Sequence, residues 1–469
     1  MKKLILLTIV LLSITSYSQT LQERVSELET KTIRMDNDYS LLWNLVNQRL
    51  KVQDETLDLF SKKIDSLEAK LDAHENGSPD PEPEPPTNDF SYPDQVNASS
   101  YNWGTLNPPA PSSNLGYLQE IPDEKTGAVI RRLAPDNTIF TVKYAKNTAY
   151  NSNGKLIKAS SANGTAIIDA ESGDFLYYVQ APNFGNWSNT NPDLMYGITN
   201  GTNQWKELKV STNTTKVIRT FTGYSNLSIG EGEGRISLDD KYVVLIGYKS
   251  SKKYLIVYNI KDDVIEGEQE INASGDLDWA TITPSGEYVV LSWRPEGTSE
   301  TQGLKAYNRD FSNYRHLYWI TAHADIGTDF EGNDVYLSVP GQSSITMAMV
   351  RIHDGLVVES NKIKISCGHI STANTKRPGY AYVSESCSPS SGISTDVFTV
   401  KLDYQFNFEK VEPFGKTYAI GVSGTTSSPM FCPNRTGTEG VFNSYMNNDR
   451  YKSMYSGYAP IHQLKIPQD

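Results

Sequence analysis

Two hydrophobic periodicities divide this chain. Between Leu21 and Leu71 the apolar positions fall in steps of three and four: Val25, Leu28, Met35, Tyr39, Leu42 and Val46, then Leu50, Leu57, Phe60, Ile64, Leu67 and Leu71. That spacing lays a narrow apolar seam along an α-helix, and the extra step of four at Leu50 is a stutter in a long coiled coil. Glu and Lys fill most other positions, as in Glu27-Leu-Glu-Thr-Lys and Ser61-Lys-Lys-Ile-Asp. So long and narrow a stripe favours self-association over a single amphipathic helix lying on another domain. The expectation is an α-helical coiled-coil stalk over 19–75, associating through residues 21–71 as a dimer or a trimer. The segment 76–89 follows, with Gly77-Ser-Pro-Asp-Pro-Glu-Pro-Glu-Pro-Pro, whose prolines stop the helix and hold an extended spacer.

From Gly127 onward the pattern shortens to that of strands. Four segments repeat one design, a polar start, a short strand, a turn rich in Asp, Pro or Gly, and an apolar strand. They begin at Gly230, Asp276, Ala322 and Gly368, and their apolar strands carry Val243, Val289, Val335 and Ala381 at intervals of about 46 residues. Weaker units cover 150–179, 191–222 and 426–464. The count predicts an all-β head over 90–469, a seven-bladed β-propeller. A ring must close to hide its strand edges, and residues 128–133 are expected to pair with the last blade near 461–466.

Residues 1–18 combine Lys2 and Lys3, an apolar run from Leu4 to Ile14, and small residues at Ser16 and Ser18. This is the pattern of an export signal cleaved after Ser18, so the expected location is extracytoplasmic, secreted or periplasmic. The run is shorter than the ~20 residues of a membrane-spanning helix, and no membrane span is expected. With 55 Asp and Glu against 43 Lys and Arg, and a formal net charge of −12, the chain lacks the concentrated basic charge that nucleic acid requires. The cysteines are Cys367, Cys387 and Cys432. Cys367 and Cys387 flank neighbouring strands and are the expected disulfide, with buried free thiols as the alternative.

The innermost strand of each blade begins at one mouth of the central channel, so equivalent blade starts converge on one ring. The residues there are Glu231, Glu233 and Arg235, then Asp278 and Trp279, then His323 and Asp325, then His369. Imidazoles among carboxylates can act as general acid and base, or hold a divalent cation such as calcium through Asp325, His323 and His369. Such residues also cap the backbone ends of inner strands, which is a purely structural use. Trp279 is a candidate platform for a sugar ring or a core residue.

The units around Ser237-Leu-Asp-Asp-Lys-Tyr-Val-Val and Thr283-Pro-Ser-Gly-Glu-Tyr-Val-Val resemble the WD40-like propeller repeats of exported bacterial proteins. In architecture the head, roughly 127–464, resembles the oligogalacturonate lyase type of seven-bladed propeller, which implies an extracytoplasmic carbohydrate role. That family relies on a catalytic His and a metal held by several His and a Gln. Here Ala322-His-Ala-Asp and Gly368-His-Ile-Ser bear the two histidines, without a close His-x-His or Gln-x-x-His cluster.

Three functions are compatible with this reading. One is a multivalent binding protein for a poly- or oligosaccharide or surface glycan. Another is a polysaccharide lyase, in which His323 or His369 takes the proton α to a uronate carboxyl, Tyr380 or Tyr382 protonates the leaving oxygen, and Arg235 or Arg377 neutralises the carboxylate. The third is a structural or adhesive assembly protein. The sequence leaves open whether the head is an enzyme.

Overall fold

A computed structural model describes residues 92–100, 116–123, 126–135, 138, 140–180, 183–199, 201–230, 233–340, 344–363, 368–385, 396–404, 408–417, 430–443 and 461–466. The segments expected to be an export signal, a coiled coil and a linker lie outside these residues, as do Glu231, Cys367 and Cys387.

The described residues form seven antiparallel sheets, the blades of a propeller. The first is built on Leu156–Ser161, Gly164–Asp169 and Phe175–Val179, with single bridges from Thr141 to Ser160 and from Tyr150 to Ile157 on its inner side. The second runs from Asn183–Trp187 to Thr214–Thr220, so its inner strand lies upstream of the unit expected at 191–222. The third, fourth and fifth begin with the inner strands Ser225–Ile229, Leu277–Ile282 and His323–Thr328. The sixth begins with Gly368–Ser371 and gains Val96–Asn97 on the edge of its outer strand, Lys410–Lys416.

The seventh blade closes the ring. Cys432–Pro433, Glu439–Asn443 and Ile461–Lys465 come from the end of the chain, and Val129–Arg132 joins them from its beginning. The register pairs Leu464 with Ile130 and Gln463 with Arg131, as the closure expectation requires. Arg131 and Gln463 are also tied by side chains, with Arg131 Nη2 donating to Gln463 Oε1 at 2.5 Å.

Strands in the middle of each blade are apolar on both faces because both faces are covered. Tyr242 to Leu245 and Val289 to Leu291 are buried without alternation, as expected where a sheet packs between two others. Seven apolar clusters fill the seven junctions between consecutive blades. Leu245 and Trp205 share the cluster between the second and third, for example, and Ala166 and Val441 the one between the first and seventh.

The third blade departs from the repeat. Ile229 pairs with Leu245 and Ile236 bridges to Val243, so a bulge interrupts the pairing between them. Gly230 has φ +49°, and a Cβ there would lie 1.7 Å from the Ala280 carbonyl oxygen. A Cβ at Gly234 would lie 3.0 Å from the same oxygen. Gly230 and Gly234 therefore let the bulge lie directly on the neighbouring blade.

Candidate functional site

The inner strands surround a cavity of about 770 Å3, open solvent at its mouth included, lined by Lys146, Glu233, Trp279, Asp325, Thr372 and Arg435 among others. His323 and His369 lie 46 positions apart, one repeat length, at the starts of adjacent inner strands. Their rings meet edge to face with centroids 4.4 Å apart. Tyr144 completes this cluster, its hydroxyl 3.5 Å from His323 Nδ1 and its ring edge-on to His369 at 5.5 Å.

The two imidazoles differ. His369 is 6% exposed. Burial, then the neighbouring His323 and Lys146, holds its pKa down to about 3, so it is neutral at any ordinary pH. His323 is exposed at the mouth, yet its ring is pressed against protein. That desolvation, with Lys146 adding to it, keeps its pKa below the usual value, while Glu233 and Asp278 pull the other way. Tyr144 is pushed in the opposite direction, far up, by burial and then by Glu233, Asp278 and Asp325. The cluster therefore offers an unprotonated base beside a phenol that keeps its proton.

The expected acidic ring resolves into ion pairs. Glu233, carried on the glycine bulge, meets Lys146 Nζ at 2.6 Å. Asp325 is paired with Arg235 and accepts from the Thr372 N–H at 2.7 Å and the Thr372 hydroxyl at 2.9 Å. Asp278 accepts from Arg294 Nε at 3.0 Å. Each carboxylate is thus neutralised by a protein cation supplied from another strand or blade.

This arrangement changes the expected metal site. Asp325 lies two residues further along its strand than His323, and Arg235 and Thr372 engage its carboxylate instead of an ion. Among the described residues no three His, Cys, Asp or Glu side chains come together as a ligand set. Two imidazoles and a phenol that retains its proton do not supply the six or more oxygens that calcium takes.

Trp279 is 1% exposed, stacks with Tyr336, and is covered by Lys146 Nζ 4.1 Å from its ring centroid. It is a core residue under a cation and has no face free for a sugar. Arg377 is equally committed, donating to Glu412 at 2.7 Å and to the Tyr382 hydroxyl at 3.0 Å, between the rings of Tyr92 and Tyr380. Tyr380 packs on Phe330 and lies at the far end of its strand from Ser384, the residue opposite His369. Four residues of strand separate the two, about 13 Å, so Tyr380 does not share the histidine cluster.

Tyr144, Lys146 and Arg435 belong to the site without having been legible in the repeat. They precede or follow the blades whose units carry the recognisable phase. Cys432 is a buried free thiol, facing the Ala149 N–H at 3.3 Å. Among the described residues no helix is long and apolar enough to cross a membrane.

No family model and no curated protein matches this chain. Solved structures do. An oligogalacturonate lyase in complex with manganese superposes with a TM-score of 0.54 at 11% identity, over 81% of this chain and 99% of that one. The oligogalacturonate lyase of Vibrio parahaemolyticus gives a TM-score of 0.54 at 14% identity over the same shares. At these identities the likeness is one of fold.

Proposed function

We propose that this chain is an exported protein whose propeller head binds a polysaccharide or surface glycan at the channel mouth, with the N-terminal coiled coil gathering several heads. The observation that carries the reading is the cluster of His323, His369 and Tyr144 at one opening of the ring, in a fold shared with oligogalacturonate lyases. Polar groups converging at a concave mouth are the ordinary form of a ligand site. Linking weak sites raises their effective concentration, which gives a stalk its use. The test is retention of the full chain and of a version lacking residues 21–71 on immobilised uronate-containing and neutral polysaccharides. Retention of the full chain with weaker retention of the truncated form is expected. No retention of either overturns the binding reading, and equal retention overturns the role of the stalk.

A second reading is favoured by the 3.5 Å approach of the Tyr144 hydroxyl to His323 Nδ1. In a lyase acting on a uronate, neutral His323 would take the proton α to the carboxyl and the pair left on carbon would form the C=C bond. The C–O bond to the next sugar would break, and Tyr144 would protonate the departing oxygen. The products absorb in the ultraviolet. His323→Ala and Tyr144→Phe are each expected to lower that signal at least about a hundredfold with the fold intact. A panel of uronate polymers left uncut, with calcium or manganese supplied, rejects the lyase reading and leaves the binding reading standing.

A further inference from the structure

Arg435 stands in the turn that follows the inner strand of the seventh blade and is 3% exposed. It reaches the second blade, where its Nη1 donates to Asn189 Oδ1 at 2.8 Å. Its Nε and Nη2 are buried and have no hydrogen-bond partner among the described residues. These two N–H groups share one edge of the guanidinium plane, the edge that takes both oxygens of a carboxylate side-on. Arg235, lining the same cavity, has a buried Nε in the same condition, as does the Asn374 Oδ1 acceptor.

The surrounding charges do not answer this edge. Asp325 is taken up by Arg235 and Thr372. Asp240 accepts from the Ser188 hydroxyl at 2.5 Å, the Asn189 N–H at 2.7 Å and the Thr190 hydroxyl at 2.6 Å. Glu233 belongs to Lys146. Asp240 acts on Arg435 only through space and through Asn189, so the Nε–Nη2 edge at the channel wall is left without a direct acceptor among the described residues, with the Arg235 Nε in the same cavity in the same condition. Buried donors are nearly always satisfied, and a buried cation costs far more than a neutral group when it is not.

We propose that Arg435, with Arg235 beside it, forms an oxyanion receptor inside the channel that takes a carboxylate in a side-on, two-bond contact. The carboxylate belongs either to an acidic sugar unit entering from the mouth or to a free small acid. In the first case the site deepens the glycan reading and rests on it, selecting uronates over neutral sugars. Arg435 follows the end of its inner strand, so it lies towards the opposite end of the channel from His323 and His369, in one cavity with Lys146, Glu233 and Trp279. Burial, with Arg235 adding to it, lowers the Arg435 pKa to about 10, so the group stays charged at neutral pH.

The test is calorimetric titration of the full chain with galacturonate oligomers, free galacturonate, acetate and the matching neutral galactose oligomers, at constant ionic strength. Wild type and Arg435→Gln are compared, with Arg219→Gln, on the outer strand of the second blade, as a control away from the channel. The acidic ligands are expected to bind wild type and the control, and to bind Arg435→Gln about tenfold more weakly or worse, the loss of a charge-assisted pair. Neutral oligomers should be insensitive to the change. Equal affinity of wild type and Arg435→Gln for every acid, or no binding of any acid to wild type, overturns the receptor. If Arg435→Gln does not fold, Arg435→Lys is used, which keeps the charge and loses the two-bond edge. An unchanged affinity then overturns it as well. Acetate binding that depends on Arg435, without polymer binding, sustains the receptor and rejects the glycan reading. Polymer binding indifferent to Arg435 does the reverse.

Discussion

His369 illustrates how a single buried residue couples the site to stability. Its pKa lies near 3 in the folded protein and at 6.5 unfolded. The unfolded chain therefore binds a proton that the folded one refuses between those values, and stability falls as pH falls through about 6.5, levelling off only near 3. The slope from this one group is about 1.4 kcal/mol per pH unit inside the window. Urea midpoints measured with chelator between pH 7 and 5 are expected to decline for wild type and to flatten for His369→Phe. An unchanged slope in the variant would show that the ring takes up its proton in the fold. His323 and His369 were legible in the sequence because they occupy one phase of the repeat. Tyr144 lies 179 positions from the histidine it approaches, and no local pattern joins them.

At the scale of the element, the bulge in the third blade is the device that brings Glu233 to Lys146. Gly230 combines a left-handed backbone with a Cβ position already occupied by the Ala280 carbonyl. Gly154, in a turn of the first blade, has φ +76° but nothing within 4 Å of its missing Cβ. Gly154→Ala is expected to cost about 1–2 kcal/mol, the backbone penalty alone. Gly230→Ala should cost about 3 kcal/mol or more, because backbone must also move. Equal costs in urea unfolding would mean that the bulge shifts freely off the neighbouring strand. The glycine run is visible in the sequence as a blade start. That it follows an inner strand, Ser225–Ile229, was not visible, because Leu227 and Ile229 alone alternate with polar residues there, too short a run to mark a strand.

For the whole molecule, the junction of Val129–Arg132 with Ile461–Lys465 decides whether seven blades form a ring. Leu464 is fully buried there, packed with Ile130 and Phe442. Leu464→Ala is expected to lower stability by about 2–5 kcal/mol, and near-neutrality in denaturant titration would contradict a closed ring. The same variant should weaken the first blade's contacts as well, since Arg131 also donates to the carbonyls of Glu171 and Ser172.

The sequence by itself determined the repeat length, the order of the blades, the closing strands and the shared phase of the two histidines. These follow from local alternation and from spacing along the chain, which a strand geometry converts directly into position. Only the tertiary structure decided what the acidic residues do. Seven inner strands converge on one axis, so the cations that answer Glu233 and Asp325 come from distant parts of the chain. Lys146 from the first blade answers Glu233 of the third, and Arg235 of the third answers Asp325 of the fifth. Charge at close quarters is settled by distance in space, and that is why an apparent ring of acids became a set of ion pairs.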